Sequence, residues 1–272
     1  MKNYNLFLLV LLFIAFILSC SNSNDNKDEN SEPAELVTAF NNVKTTLDEL
    51  DLGLRATRDT IAKLDFITDD TAIRTILDEI VARFDFCDEA FTLDCNGVLN
   101  KIQPAKYQES EGTDVSQQPH NQRIFQNKTP VTSELFKVVE GYQAVVFSYP
   151  IIKGDSVAGV VGVIIDPARL FAAELLPIFQ GKDFAIFAME HTSTVLYDID
   201  SAEIGRNTLA DTMFQNFPEV LQACRKMLAA DSGFTTFFFY TDGMEKKKYF
   251  KSWWKTIHFV DSKWTLVYKK EY

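Results

Sequence analysis

The chain has 272 residues, 46% of them hydrophobic, and a formal net charge of −11. That is enough apolar material for one large core or two small ones. The acidic balance argues against nucleic acid as a partner, because phosphate recognition needs a positive surface, and against an electrostatic hold on anionic lipid.

The first element is a leader over residues 1–19. Thirteen consecutive apolar residues, Leu6–Leu18, follow a start whose only basic residue is Lys2. A secretory apolar segment needs roughly 7–15 residues, whereas a membrane-spanning helix needs about 18 or more. Ile17-Leu18-Ser19-Cys20 resembles a bacterial lipobox, whose cleavage leaves Cys20 as the lipid-bearing first residue. Residues 20–34 are polar and acidic, with nothing to bury before Ala34, and read as a flexible tether. The lipid bilayer is then a partner through acylated Cys20, on the extracytoplasmic side of the membrane. The three remaining cysteines, Cys87, Cys95 and Cys224, are an odd set and read as thiols.

Residues 35–83 form the N-terminal helices. Leu36, Phe40, Val43, Leu47, Leu50, Leu54, Thr57, Ile61 and Leu64 recur at 4-3 spacing, the seam of a coiled coil or of a long helix on a partner surface. This seam predicts a weak parallel homodimer, the alternative being cover from the chain's own sheets. Thr68-Asp69-Asp70 marks the cap of a second helix with an apolar face of Ile73, Ile76, Leu77, Ile80, Val81 and Phe84.

From Asp85 onward the texture is that of strands. Asp94-Cys95-Asn96-Gly97 is a tight turn between Ala90–Leu93 and Val98–Ile102. A polar loop, a short helix near His120–Phe125, and strands at Glu134–Val139, Tyr142–Ile152 and Val157–Asp166 follow. Pro167 then opens a helix to Phe179. The plan repeats, with a hairpin over Asp183–Met189 and Thr194–Asp198, a helix over Pro218–Ala230, and strands at Phe234–Tyr240, Tyr249–Phe259 and Lys263–Lys269. Two such halves make an α+β chain: a long N-terminal helix, then two modules, each a five-stranded antiparallel sheet with flanking helices.

The order of Ser148-Tyr149-Pro150-Ile151, Gly159–Asp166, Val195-Leu196-Tyr197-Asp198, Glu203–Asn207, Trp254-Lys255-Thr256 and Trp264–Val267 resembles the double Cache sensors, extracytoplasmic relatives of PAS domains. The resemblance covers roughly residues 35–272. It implies a membrane-distal module over residues 84–179, a membrane-proximal module over residues 180–272, and a small-molecule ligand held in the distal one. The family usually continues into a transmembrane helix and an output domain, so a chain on a lipid anchor implies a separate membrane signalling or transport partner. The alternative is an envelope scaffold that keeps the fold without the ligand.

The resemblance also directs attention to particular residues. Amino-acid-sensing members carry Arg-x-Trp-Tyr where this chain has Arg123-Ile124-Phe125-Gln126. Arg123 matches the guanidinium that clamps a carboxylate, and Phe125 keeps an aromatic wall. Phe136 and Val138 stand near the next Tyr and Asp positions, while the late Asp falls on Ile164, with Asp166 two residues on. Tyr142 and Tyr149 complete the candidate ligand-binding set, on opposite strand faces. Tyr197-Asp198 and Arg206-Asn207 read as structural, with Asp198 paired to Arg206. His120, His191 and His258 have no metal spacing, and no catalytic motif is present, so neither cofactor nor metal nor enzymatic activity is expected.

Overall fold

The computed structural model describes residues 31–65, 69–137, 142–241 and 246–272. Cys20 and the expected leader lie outside the described residues, as do Thr68 and Val138. Helix α1 (Ala34–Ile61) carries the 4-3 seam, and Leu36, Val43, Leu47, Leu50, Leu54 and Ile61 are fully buried on it. The surfaces that cover them belong to the same chain. The helix lies across β5 (Gln143–Lys153) and β6 (Ser156–Ile165) of one sheet and β10 (Lys246–Phe259) and β11 (Ser262–Glu271) of the other. The seam is thus covered by the chain's own sheets, the alternative to the expected homodimer, and each buried Leu gains about 1.5–3 kcal/mol there. Helix α2 (Asp70–Arg83) packs against α1, where Gly53 permits a close approach; a Cβ on it would stand 2.9 Å from Ile80 Cδ1. Asp69 does not cap α2 with its side chain, because its carboxylate accepts the Asp65 N–H at 2.8 Å instead.

The first sheet runs β2 (Leu99–Gln103), β1 (Cys87–Asp94), β6, β5, β3 (Val131–Thr132), with β4 (Phe136–Lys137) also paired to β5. It has six strands rather than five, because two short pieces lie along β5 where one strand was expected. The loop expected after Gln103 holds one 3-10 turn, Ala105–Ser110, and helix α3 (Pro119–Asn127) follows it. Helix α4 (Pro167–Phe179) leads into the second sheet, ordered β8 (Val195–Tyr197), β7 (Phe184–Glu190), β11, β10, β9 (Ser232–Thr241), with helix α5 (Pro218–Ala229) beside it. Both sheets share one order, the return strand of each module sitting beside its first strand.

Strand alternation divides the core. Val145, Phe147, Tyr149 and Ile151 of β5 join α1, α4 and the second sheet in one cluster, in which Phe147 and Phe171 flank Trp264 at ring-centroid distances of 5.8 and 5.6 Å. Val146 faces the other way, into a separate cluster with Phe91, Leu93, Ile102, Ile124, Val131 and Val160. A third cluster, with Met189, Cys224, Met227 and Trp254, lies on the matching outer face of the second sheet. Each module thus has an inner face held by the long helix and an outer face under its own loop and short helix.

Candidate functional site

On the outer face of the first sheet, α3 lies over β3 and β5 with Ile124 inward. Phe125, Phe136, Tyr107 and Ile164 are half-buried around this cluster. The β1–β6 register shifts between Cys87 and Glu89, so Asp88 bulges and Glu89 pairs directly with Ile164 on the outer face. Asp88 reaches Arg169, while Glu89 is buried. Tyr142 Oη lies against Asp88 in a poorly aligned contact, and neither that oxygen nor Asp88 Oδ2 has a well-formed hydrogen bond. Burial pushes the Tyr142 phenol up, and the Asp88 charge adds to it. Ser148 Oγ, on the strand side of Val146, and Asn121 Oδ1, one turn before Ile124, are likewise buried without partners. Beside Asn121, burial and the Arg123 charge bring His120 down to about 4, so its imidazole is neutral at pH 7.

The corresponding face of the second module holds a cavity of about 490 Å³ between the sheet and α5. Its apolar walls come from strand residues such as Phe187 and Phe237 and from Ala223, Cys224 and Met227 of α5; Asp198, Asp200, Glu203 and Lys269 are its charged groups. Lys269 Nζ bonds Asp198 Oδ2 at 3.1 Å and stands 5.0 Å from the Phe187 ring centroid. Burial pushes the Cys224 thiol up to about 11, keeping it protonated.

Two sheets of one order, one long helix across both and an outer face under a short helix on each are the geometry of known sensor domains. The chain superposes on an extracellular ligand binding receptor from Desulfohalobium retbaense with a TM-score of 0.68 at 20% identity, over 87% of this chain and 39% of that one. It spans, then, well under half of that receptor. The periplasmic sensory domain of the Campylobacter jejuni chemoreceptor Tlp1 gives 0.64 at 12% identity over 87% and 93% of the two chains. The ligand-binding domain of the Pseudomonas aeruginosa amino acid chemoreceptor PctB, in complex with L-Arg, gives 0.59 at 14% identity over 85% and 89%. This protein has the double Cache fold. Residues 45–167 match the model of the HK/GC/chemotaxis protein-like sensor domain. No curated protein matches the sequence significantly.

Within this double Cache chain the sequence-derived candidates separate. Phe125, Phe136 and Tyr142 gather at the outer face of the first module. Arg123 turns to its edge, donating to Thr132 O and standing 3.5 Å from Asp261 of the second module. Tyr149 is corrected out of the set: it points to the inner face and donates to Asp51 on α1. Asp166 is also corrected out. It follows the end of β6, and its carboxylate accepts the Ala168 and Arg169 N–H groups at the start of α4. Asp198 pairs with Lys269 and Arg206 with Asp211, replacing the expected Asp198–Arg206 pair. Asn207 is structural, donating to Thr192 O at 2.7 Å and accepting from Ser193 Oγ at 2.7 Å. Glu89 alternates in phase with Phe91 and Leu93 on this face, but it lies just before Ala90, the expected start of the strand, and so was not singled out. Among the described residues, no group of His, Cys, Asp and Glu is placed to hold a metal, and no helix is long and apolar enough to cross a membrane.

Proposed function

We propose that the protein is a lipid-anchored extracytoplasmic sensor that binds a small polar molecule in its first module and reports occupancy to a separate membrane partner. The ligand lies under α3, against Phe125, Phe136 and Tyr142. The observation that carries this reading is the group of buried polar atoms at that face: Ser148 Oγ and Asn121 Oδ1 without partners, and Tyr142 Oη only poorly aligned on Asp88. Leaving such atoms unsatisfied costs about 1–3 kcal/mol each, which a polar ligand offsets. One similar domain, that of PctB, holds L-Arg. A molecule with an ammonium and a carboxylate has matching partners here, Asp88 and Glu89 at one end and Arg123 at the other, the guanidinium exchanging Asp261 for the ligand.

The test is a thermal-shift screen of the full-length protein with amino acids, small carboxylates, amines and nucleobases. A ligand at 100 times its Kd stabilises the fold by about 2.7 kcal/mol. Arg123→Ala should then lower affinity by about 1.5–3 kcal/mol, Arg123→Lys should recover part of it, and Arg206→Ala should leave it nearly intact. No stabilising compound across the panel would favour the scaffold. Anchoring is tested separately: Cys20→Ser should release the protein from membranes or block its maturation, and a variant still membrane-bound with residues 1–19 attached would mean a plain N-terminal anchor.

A further inference from the structure

The second-module cavity is a better-formed chamber than a structural relay requires. At about 490 Å³ it lies within the usual range of small-molecule sites and has room for roughly 15 non-hydrogen atoms. Its floor is Phe187, Met189 and Phe237 on the sheet, and its roof is Ala223, Cys224 and Met227 on α5. Every one of those side chains is apolar or a protonated thiol. Ala223 and Cys224 are small, so that α5 leaves space over the sheet beside the cluster in which it packs on Met189 and Trp254. Methionine and phenylalanine together make an adaptable, polarisable wall suited to an aromatic or aliphatic body.

The charged groups fix the rest of the chemistry. Three carboxylates, Asp198, Asp200 and Glu203, line the cavity together with one ammonium, Lys269. Lys269 is already committed to Asp198 at 3.1 Å. Arg206, whose charge also acts on Glu203, is held by Asp211 at 3.0 Å and by Ala202 O at 2.9 Å. Asp200 and Glu203 therefore present negative charge toward the cavity with, among the described residues, no cation of their own within salt-bridge distance. Burial pushes the Glu203 carboxyl up, Arg206 opposes this, and the charges of Asp198 and Asp200 add to it. An anion entering here meets two carboxylates; a cation relieves their repulsion.

We propose that the second module is a separate binding site for a hydrophobic amine, with its apolar body between Phe187 and α5 and its ammonium at Glu203 and Asp200. This site is distinct from the one proposed in the first module and differs in chemistry, because its one lining ammonium, Lys269, is already shared with Asp198 beside two further carboxylates.

The experiment is calorimetric titration of the full-length protein with tryptamine, 2-phenylethylamine and octylamine, and with tryptophol and indole-3-propionate as neutral and anionic counterparts of tryptamine. At least one amine should bind, and the neutral and anionic counterparts should bind tenfold or more weakly. Glu203→Gln should weaken the amine about tenfold and leave tryptophol unchanged. Ala223→Phe, which fills the chamber, should abolish amine binding, whereas Tyr142→Phe in the first module should not alter it. Binding of none of the three amines would overturn the proposal. So would equal binding of tryptophol or indole-3-propionate, or amine binding that survives a folded Ala223→Phe variant. Should Ala223→Phe not fold, Glu203→Gln decides alone: unchanged amine affinity overturns the assignment. Loss of amine binding in Tyr142→Phe with none in Glu203→Gln would instead place the amine in the first module.

Discussion

Arg123 stands 3.5 Å from Asp261 across the boundary between the two modules, and Asp261 Oδ1 also accepts the Thr132 backbone N–H at 2.6 Å. The Leu135 N–H reaches across in the same way to Glu190 Oε2 at 3.2 Å. The segment that follows α3 is thus fastened at two points to acidic groups of the second module, and the outer face of the first module shares its edge with the contact between modules.

Both members of this pair also hold the backbone of the buried Thr132: Arg123 donates to its carbonyl and Asp261 accepts its N–H. The ion pair itself is about one-third exposed on both sides, so solvent screening limits it to about 0.2–1 kcal/mol. Arg123→Ala and Asp261→Ala each also strand one Thr132 backbone group, and each should cost about 1–3 kcal/mol in urea unfolding. Losses of under about 1 kcal/mol in both variants would mean that the backbone bonds contribute nothing.

Tyr149→Phe should lower stability by about 1.5–3 kcal/mol, the range for a hydrogen bond to a charged group, because its hydroxyl donates to Asp51 in the inner core. Burial opposes the Asp51 charge, but the bonds from Arg55 and Tyr149 outweigh it and hold the carboxyl below its usual range. Ligand affinity of the Tyr149→Phe variant, measured by titration, should match that of the native protein. A selective loss of affinity would return Tyr149 to the binding site.

Acid should loosen the contact between α2 and the first sheet. Arg74 grips Glu111 with two bonds, at 2.6 and 3.0 Å, and Glu111 also accepts the Ile102 N–H at 3.0 Å. The Arg74 bonds hold the Glu111 carboxyl below its ordinary 4.5, against the opposing effect of burial. A depressed carboxylate contributes stability that is fully present above the unfolded-state value. That contribution is lost as the pH falls below about 4.5 and through the folded-state value. Glu111→Gln should therefore reduce stability at pH 7 and flatten the acid limb of the stability profile. An unchanged slope below pH 4.5 would show that other carboxylates control it.

The element order was legible because period and punctuation agree: 4-3 spacing along α1, alternation along β5 and β6, and Pro at the first turn of α4 and α5. Asp166 was legible too, since Asp before Pro167 is the sequence mark of a helix start, and reading it as a continuing strand put it on the wrong element. The face of Glu89 was legible from its alternation with Phe91 and Leu93, whereas the Arg123–Asp261 contact was not, because it depends on how two modules dock. The chamber under α5 was hidden for a further reason: Ala223, Cys224 and Met227 have the same spacing whether the helix rests on the sheet or stands off it.

The seam on α1 yields the last prediction. Leu47 is fully buried against the chain's own sheets, whereas Leu52, on the opposite side of the helix, is 65% exposed. Leu47→Asp buries an unpaired carboxylate, and should destabilise by more than about 4 kcal/mol or abolish cooperative unfolding. Leu52→Asp should change stability by no more than about 0.5 kcal/mol. Sedimentation velocity alongside urea unfolding separates the two roles that a 4-3 seam can play. If the seam is intramolecular, Leu47→Asp loses its fold before any change in association can be read. A Leu47→Asp protein that stays folded and only shifts from dimer to monomer would return the seam to an interface between copies.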